Sequence, residues 1–233
     1  MLVLDAGAVF DNTDPEKAKL LLNAMQRMGY DALNLGGPEF FFGTEFLEHA
    51  RGQVSFPYVA SSLRYDGRGL PWAQEYLLKQ VGGLTVAILG VFNPDELDQL
   101  RDKELVKRLQ LVPAEEALGR LVPRVREKAD VVVLLSRFAA EKTRALVEKV
   151  KGIDVAVSSG GSDVYYPGGV VGETGSSGKM MGLLKVRSDG KATISVLENR
   201  YVSMDSLVPP HPEIAELVER YKAEQAKKTV NFQ

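Results

Sequence analysis

The segment whose residue types and spacing come nearest to chemistry is Asn34-Leu35-Gly36-Gly37-Pro38-Glu39-Phe40-Phe41-Phe42-Gly43. Its glycines let the backbone turn sharply after an apolar strand end, which is where an α/β protein places its ligand crevice. A metal or phosphate site in such a loop needs several convergent polar groups. This loop offers one carboxylate, Glu39, among glycine, proline and phenylalanine. The outline of a site is present and its polar chemistry is thin.

Other chemistries fare no better. The chain has no cysteine, which excludes disulfides, thiolate nucleophiles and cysteine-ligated zinc. Its only histidines, His49 and His211, read as surface or capping residues. The stretch Gly172 to Met180 looks like a nucleotide loop, but the motif requires glycine and a hydroxyl where Glu173 and Met180 stand, so a hairpin or turn is expected. Ser136, Ser158, Ser159 and Ser162 have neither a Gly-x-Ser-x-Gly elbow nor a histidine-acid pair nearby in the sequence. Phe10, Trp72, Tyr76 and the Phe40-Phe41-Phe42 run could line a base-stacking pocket. Consecutive aromatics must face different ways, however, and read as core plugs.

Two strand-end carboxylates and one arginine remain. Asp5 and Glu39 are expected to anchor loops by accepting backbone N–H groups in tight turns. A lone magnesium site would have Asp5, Glu39 and Asp163 to draw on. Arg137, after the apolar run Val131 to Leu135, can bring a guanidinium to the crevice and pair with Asp163 or Glu39. An internal salt bridge is expected there rather than capture of a ligand.

Elements that could position these groups alternate along the chain as in a layered α/β fold. Asp14-Pro15 caps a helix whose Ala18, Leu21, Leu22, Met25 and Met28 form one stripe, ended by Gly29. Leu2 to Leu4, Ala32 to Leu35, Leu84 to Leu89, Val131 to Leu135 and Asp154 to Val157 are expected as buried strands, and Phe56 to Ala60 as a further one. Pro113 opens a helix that Pro123 is expected to kink or interrupt, and Glu141 to Val150 forms the next helix. Antiparallel strands are expected around Met181 to Val186 and Ala192 to Leu197. A last helix, roughly Pro212 to Ala226, leads into a polar, linker-like tail.

Composition bounds the rest. The 233 residues, 45% hydrophobic and 26% charged, suffice for one large domain or two small ones. With 29 Lys and Arg against 31 Asp and Glu, the net charge of -2 gives no electrostatic case for nucleic acid. The longest apolar runs are strand-sized, well short of the ~20 residues of a membrane span. Cysteine absence fits the cytoplasm and equally a disulfide-free exported protein. Met1 enters a core-like strand without an export signal, an abrupt opening that points to a lost leader, a truncated piece or a missing first strand.

Five ordered blocks carry a family resemblance: Leu4 to Ala8, Gly36 to Gly43, Phe56 to Leu63, Lys128 to Arg137 and Gly160 to Asp163. Their order and spacing resemble the N-terminal metallophosphatase domain of 5'-nucleotidases and other calcineurin-like phosphoesterases. The likeness spans Met1 to about Leu207, including the glycine-rich stretch Glu173 to Gly182.

The resemblance implies a four-layer αββα sandwich, two mixed sheets flanked by helices. It divides the chain into a phosphoesterase-like domain, residues 1–207, and a C-terminal helix and tail, residues 208–233. In the family, strand-end loops hold two divalent metals, and the resemblance places nearly all of those ligand positions on residues that do not match the family's ligands. The bridging aspartate falls on Ala8, the Gly-Asn-His-Glu block leaves Gly37, Pro38 and Glu39, and a further asparagine falls on Ser62. Histidine positions fall on Arg137, Gly161 and Asp163, and the Asp-x-His motif of a first strand has no counterpart. The vestigial crevice is therefore expected to comprise Asp5, Ala8, Gly37, Pro38, Glu39, Ser62, Arg137, Gly161 and Asp163, with no cofactor.

The expected function is a 5'-nucleotidase-like domain that has lost two-metal hydrolysis and acts as a binding or scaffold module. Its partner would be a small phosphate- or carboxylate-bearing ligand, or a missing C-terminal domain or protein. The alternative is an active phosphohydrolase, of 5'-nucleotidase or cyclic-nucleotide phosphodiesterase type, with an altered or truncated site for Mg, Mn or Zn. The resemblance suggests a periplasmic or extracellular location.

Overall fold

A computed structural model describes residues 1–158, 164–166, 169–173, 178–188 and 194–230. Within them the chain builds two sheets face to face, with helices on both outer sides. The first sheet is formed by β1 (Leu4–Asp5), β2 (Ala32–Asn34) and β3 (Tyr58–Val59). Strand β4 (Leu63–Tyr65) leaves this sheet, and β5 (Ala73–Gln74) completes it in the order β1-β2-β3-β5, all parallel.

The hairpin β6 (Tyr76–Val81) and β7 (Leu84–Val91) begins the second sheet, and β8 (Leu109–Leu111) pairs antiparallel with β4. The second sheet continues with β9 (Val131–Ser136), β10 (Val155–Ser158), β11 (Val164–Tyr166) and β12 (Gly169–Glu173). Its order is β11-β12-β10-β9-β7-β6, parallel at the centre and antiparallel at both edges. The remaining strands, β13 (Met180–Ser188) and β14 (Ile194–Ser203), form a separate antiparallel hairpin.

Three apolar clusters define the layers. Ala32 and Val59 of the first sheet meet Ile88, Val131 and Val133 of the second, which seals the space between the sheets. The hairpin places Leu184, Val186, Ile194 and Val196 against that same cluster. Outside the first sheet lie α1 (Pro15–Arg27) and α2 (Gly43–Gly52), which contribute Leu22, Met25 and Leu47 to a second cluster. After the short helix α3 (Lys103–Arg108), α4 (Ala114–Arg126) and α5 (Ala140–Lys149) cover the second sheet through Leu118, Leu121, Val122 and Leu146. The result is the four-layer αββα sandwich.

Local signals explain most boundaries. Asp14 caps α1 by accepting the Glu16 N–H at 2.9 Å, and Gly29 turns the chain out with φ 74°. Residues of β9 are buried throughout, as its unbroken apolar sequence requires in a sheet covered on both faces. The opening strand differs from expectation. It is Leu4–Asp5 rather than Leu2 to Leu4, and only half-buried, because β1 is an edge strand with a partner on one side.

Pro123 does not interrupt α4. It lies in the last turn, where the missing N–H removes one backbone bond, to the Gly119 carbonyl, while the buried stripe Leu118, Leu121, Val122 and Val125 holds the helix down. The last helix, α6 (Pro212–Val230), runs antiparallel to α1. Arg27 reaches Glu213 at 3.3 Å near one end, and Tyr221 Oη donates to Asp14 at 2.6 Å near the other. Among the described residues no helix is long and apolar enough to cross a membrane.

Candidate functional site: the strand-end crevice

The loops following β1, β2, β7 and β9 meet at the C-terminal ends of the two sheets. After β2 the chain enters a 3-10 turn, Gly37–Phe40, in which Gly37, Pro38, Glu39 and Phe40 are all buried. Glu39, 0% exposed, points its carboxylate back at the loop after β1. Oε1 accepts the Val9 N–H at 2.7 Å, and Oε2 accepts those of Ala8 at 3.1 Å and Gly36 at 2.8 Å. Burial pushes the Glu39 carboxyl up to about 7, against the pull of those three donors and of Arg137. Glu39 is thus a loop anchor, with both oxygens committed.

Asp5 plays a smaller version of that part. Its Oδ1 accepts the Gly7 N–H at 2.8 Å. Burial raises its carboxyl, opposed first by this bond and then by the Arg137 guanidinium. Between the anchors, Gly7 has φ 99° and Ala8 φ 68°, so the turn places an alanine in the left-handed region.

Arg137 lies at the end of β9, and its own N–H donates to the Val91 carbonyl at 3.2 Å. Its Nε and Nη2 donate to Glu96 Oε1 at 3.0 and 2.6 Å, and Nη1 donates to the Gly7 carbonyl at 2.9 Å. The other Glu96 oxygen accepts the Gly37 N–H at 2.8 Å. The side chains of Arg137 and Glu96 are 11% and 7% exposed, so the pair is largely out of water.

An internal salt bridge was expected for Arg137 and is present; Glu96, its partner here, was not among the partners the sequence suggested, of which Asp163 lies outside the described residues. Glu96 was legible as a carboxylate in the loop after β7, in Asn93-Pro94-Asp95-Glu96, the same structural position that drew attention to Glu39. Gly161 and Asp163 lie outside the described residues, as do Gly160 and part of the glycine-rich stretch. Ser62 is 2% exposed and its hydroxyl accepts the Phe92 N–H at 3.0 Å, so it tethers the end of β7. His49 is exposed on α2, with Nε2 2.9 Å from Gln53, and His211 is exposed beside the start of α6.

The aromatic run is core. Phe40 packs its ring 6.3 Å from Trp72 and 6.4 Å from Phe92, and Phe42 lies 5.2 Å from Phe46. Tyr76 belongs to the cluster on the other side of the second sheet, so no single aromatic pocket unites it with Trp72.

No protein-family model matches the chain. Bovine 5'-nucleotidase is 24% identical over a 258-residue alignment that covers 95% of this chain and 44% of the bovine protein. The 5'-nucleotidase precursor of Thermus thermophilus superposes with a TM-score of 0.86 at 22% identity, over 97% of this chain and 50% of that one. In sequence and in fold the chain is similar to 5'-nucleotidases and calcineurin-like phosphoesterases. A Staphylococcus aureus structure described as a 5'-nucleotidase, in complex with alpha-ketoglutarate, shares the fold with a TM-score of 0.74 at 19% identity, over 88% of this chain and 44% of that one. The chain spans less than half the length of the curated relatives it matches.

Members of this family normally bind divalent metals. The described residues of the crevice do not fit that group. The Ala8 side chain has no donor atom, Gly37 and Pro38 contribute none, and the carboxylates of Glu39 and Glu96 are taken up by backbone N–H groups and a guanidinium. Among the described residues no three His, Asp or Glu side chains converge as a metal-binding group.

Proposed function

We propose that this chain is a non-catalytic member of the phosphoesterase fold, a binding or scaffold module whose crevice is held by its own side chains. One observation carries the reading: Glu39 and Glu96, the buried carboxylates after β2 and β7, spend their acceptor capacity on loop amides and on Arg137. Two-metal hydrolysis requires a bridging carboxylate and several free donors, both to offset the repulsion between the metals and to activate water. Arg137 can stabilise negative charge and offers no route to an activated nucleophile.

The domain reading, residues 1–207 with a C-terminal helix and tail over 208–233, is part of this proposal. So is a partner that is either a further domain or protein, or a small phosphate- or carboxylate-bearing ligand. The complex of the Staphylococcus aureus structure with alpha-ketoglutarate supports the ligand class by analogy of fold alone.

The test is a metal-supplemented assay over nucleoside monophosphates and cyclic nucleotides, paired with calorimetric titration of the same compounds and of alpha-ketoglutarate. The expected result is no turnover. Saturable, metal-dependent turnover that disappears in Glu39→Gln would establish an altered-site hydrolase instead.

A further inference from the structure

The glycines around Arg137 are shaped to its side chain. A Cβ on Gly36 would stand 2.7 Å from Arg137 Nε and 2.9 Å from Glu96 Oε2, and one on Gly7 would stand 3.0 Å from Arg137 Cδ. The acceptors match the guanidinium edges: Glu96 Oε1 takes Nε and Nη2, and the Gly7 carbonyl takes Nη1. Glu96 pairs with Arg137 directly, and Asp5 and Glu39 are close enough to feel its positive charge. Electrostatics there favour a cation, and the acceptors suit a planar one with peripheral N–H donors.

We infer that the strand-end crevice is a guanidinium site, filled in the native chain by Arg137 itself. With that side chain removed, it takes up free guanidinium in preference to a divalent metal. A small divalent ion such as Mg²⁺ needs about six oxygens converging near 2.1 Å, whereas the acceptors here lie around the rim of a flat group and are partly committed to loop amides. The inference rests on the non-catalytic reading, but it is read out by stability, so either can fail without the other.

The experiment uses the full chain carrying Arg137→Ala. Breaking a buried pair is expected to lower Tm by about 10 °C. Millimolar guanidinium chloride is expected to recover part of the loss, rising with the logarithm of its concentration as a ligand of the folded state does, where NaCl at equal ionic strength and MnCl2 do not. The double variant Arg137→Ala, Glu96→Gln is expected to show no guanidinium-specific recovery. If Arg137→Ala does not fold, refolding yield in guanidinium against NaCl reads the same contrast, and Arg137→Lys gives a second measure. Lysine keeps the charge but cannot serve Glu96 and the Gly7 carbonyl in one plane, so its Tm is expected below wild type. Recovery by MnCl2 equal to that by guanidinium, identical effects of all three salts, or a lysine variant as stable as wild type would each overturn the inference.

Discussion

Glu39 Oε2 accepts the N–H of Ala8 at 3.1 Å, so a carboxylate on one strand-end loop fixes a left-handed alanine on another. Both members of this relationship can be tested. The acceptor titrates, and the donor residue is in a backbone region that an L side chain resists.

The folded-state carboxyl of Glu39 is raised from 4.5 to about 7, so the native state holds its proton more tightly than the unfolded chain. Its contribution to stability is therefore greatest below the unfolded value and is lost as pH rises from 4.5 to about 7, by up to ~3 kcal/mol. Glu39→Gln is expected to remove this component of the slope. Asp5, raised in the same direction, leaves a residual one. Urea unfolding of both proteins at several pH values across this interval checks the sign; parallel curves would refute it.

Ala8→Gly is expected to stabilise the protein. Relief of the left-handed penalty, ~1–2 kcal/mol, exceeds the ~0.4–1 kcal/mol that glycine adds to unfolded-chain entropy. Ala8 is exposed, so little packing is lost with the methyl group. A net gain of about 0.5–1 kcal/mol in denaturant unfolding is the expected outcome.

Gly37→Ala probes the close approach of the loops after β2 and β7. Its Cβ would fall 2.7 Å from Glu96 Cβ and 2.8 Å from the Glu96 carbonyl oxygen, and backbone cannot yield as a flexible side-chain end can. A cost of about 1–3 kcal/mol is expected, with loss of amide-exchange protection at position 37. Gly52→Ala, which meets nothing within 4 Å, serves as the control.

Asn34 joins the two sheets from inside. Fully buried, it donates from Nδ2 to the carbonyls of Ala6 and Val91, each at 3.1 Å. Asn34→Ala is expected to cost about 2–3 kcal/mol through a cavity, the loss of the Asn34 donor at the Ala6 carbonyl, and one bond fewer at the Val91 carbonyl, which keeps the Arg137 N–H. Asn34→Asp is expected to cost more at neutral pH, because it sets a buried carboxylate against both oxygens. Equal costs for the two variants would argue that water enters the site.

The layered fold was legible because its strands carry strong local signals: Val131 to Leu135 could be little other than a strand covered on both faces. Edge elements were less so. Residues Leu2 to Leu4 are as apolar as a central strand, and nothing local indicates that β1 has a single neighbour. At the site, Glu39 as an anchor followed from its lone carboxylate in a glycine turn. Glu96 did not, since its role depends on Arg137, 41 residues later, and on the Gly37 amide, 59 residues earlier. Pairings of that kind are products of the sheet order, which short-range pattern does not encode.

That separation also has a kinetic meaning. The bond from Arg137 to the Gly7 carbonyl spans 130 residues of chain, and the one from Gly37 to Glu96 spans 59. Contacts that close such long stretches form only after both sheets have been assembled, because the chain must first lose the entropy of bringing distant segments together. Variants that weaken the crevice network are therefore expected to speed unfolding and leave the folding rate nearly unchanged, which denaturant-dependent folding and unfolding rates check.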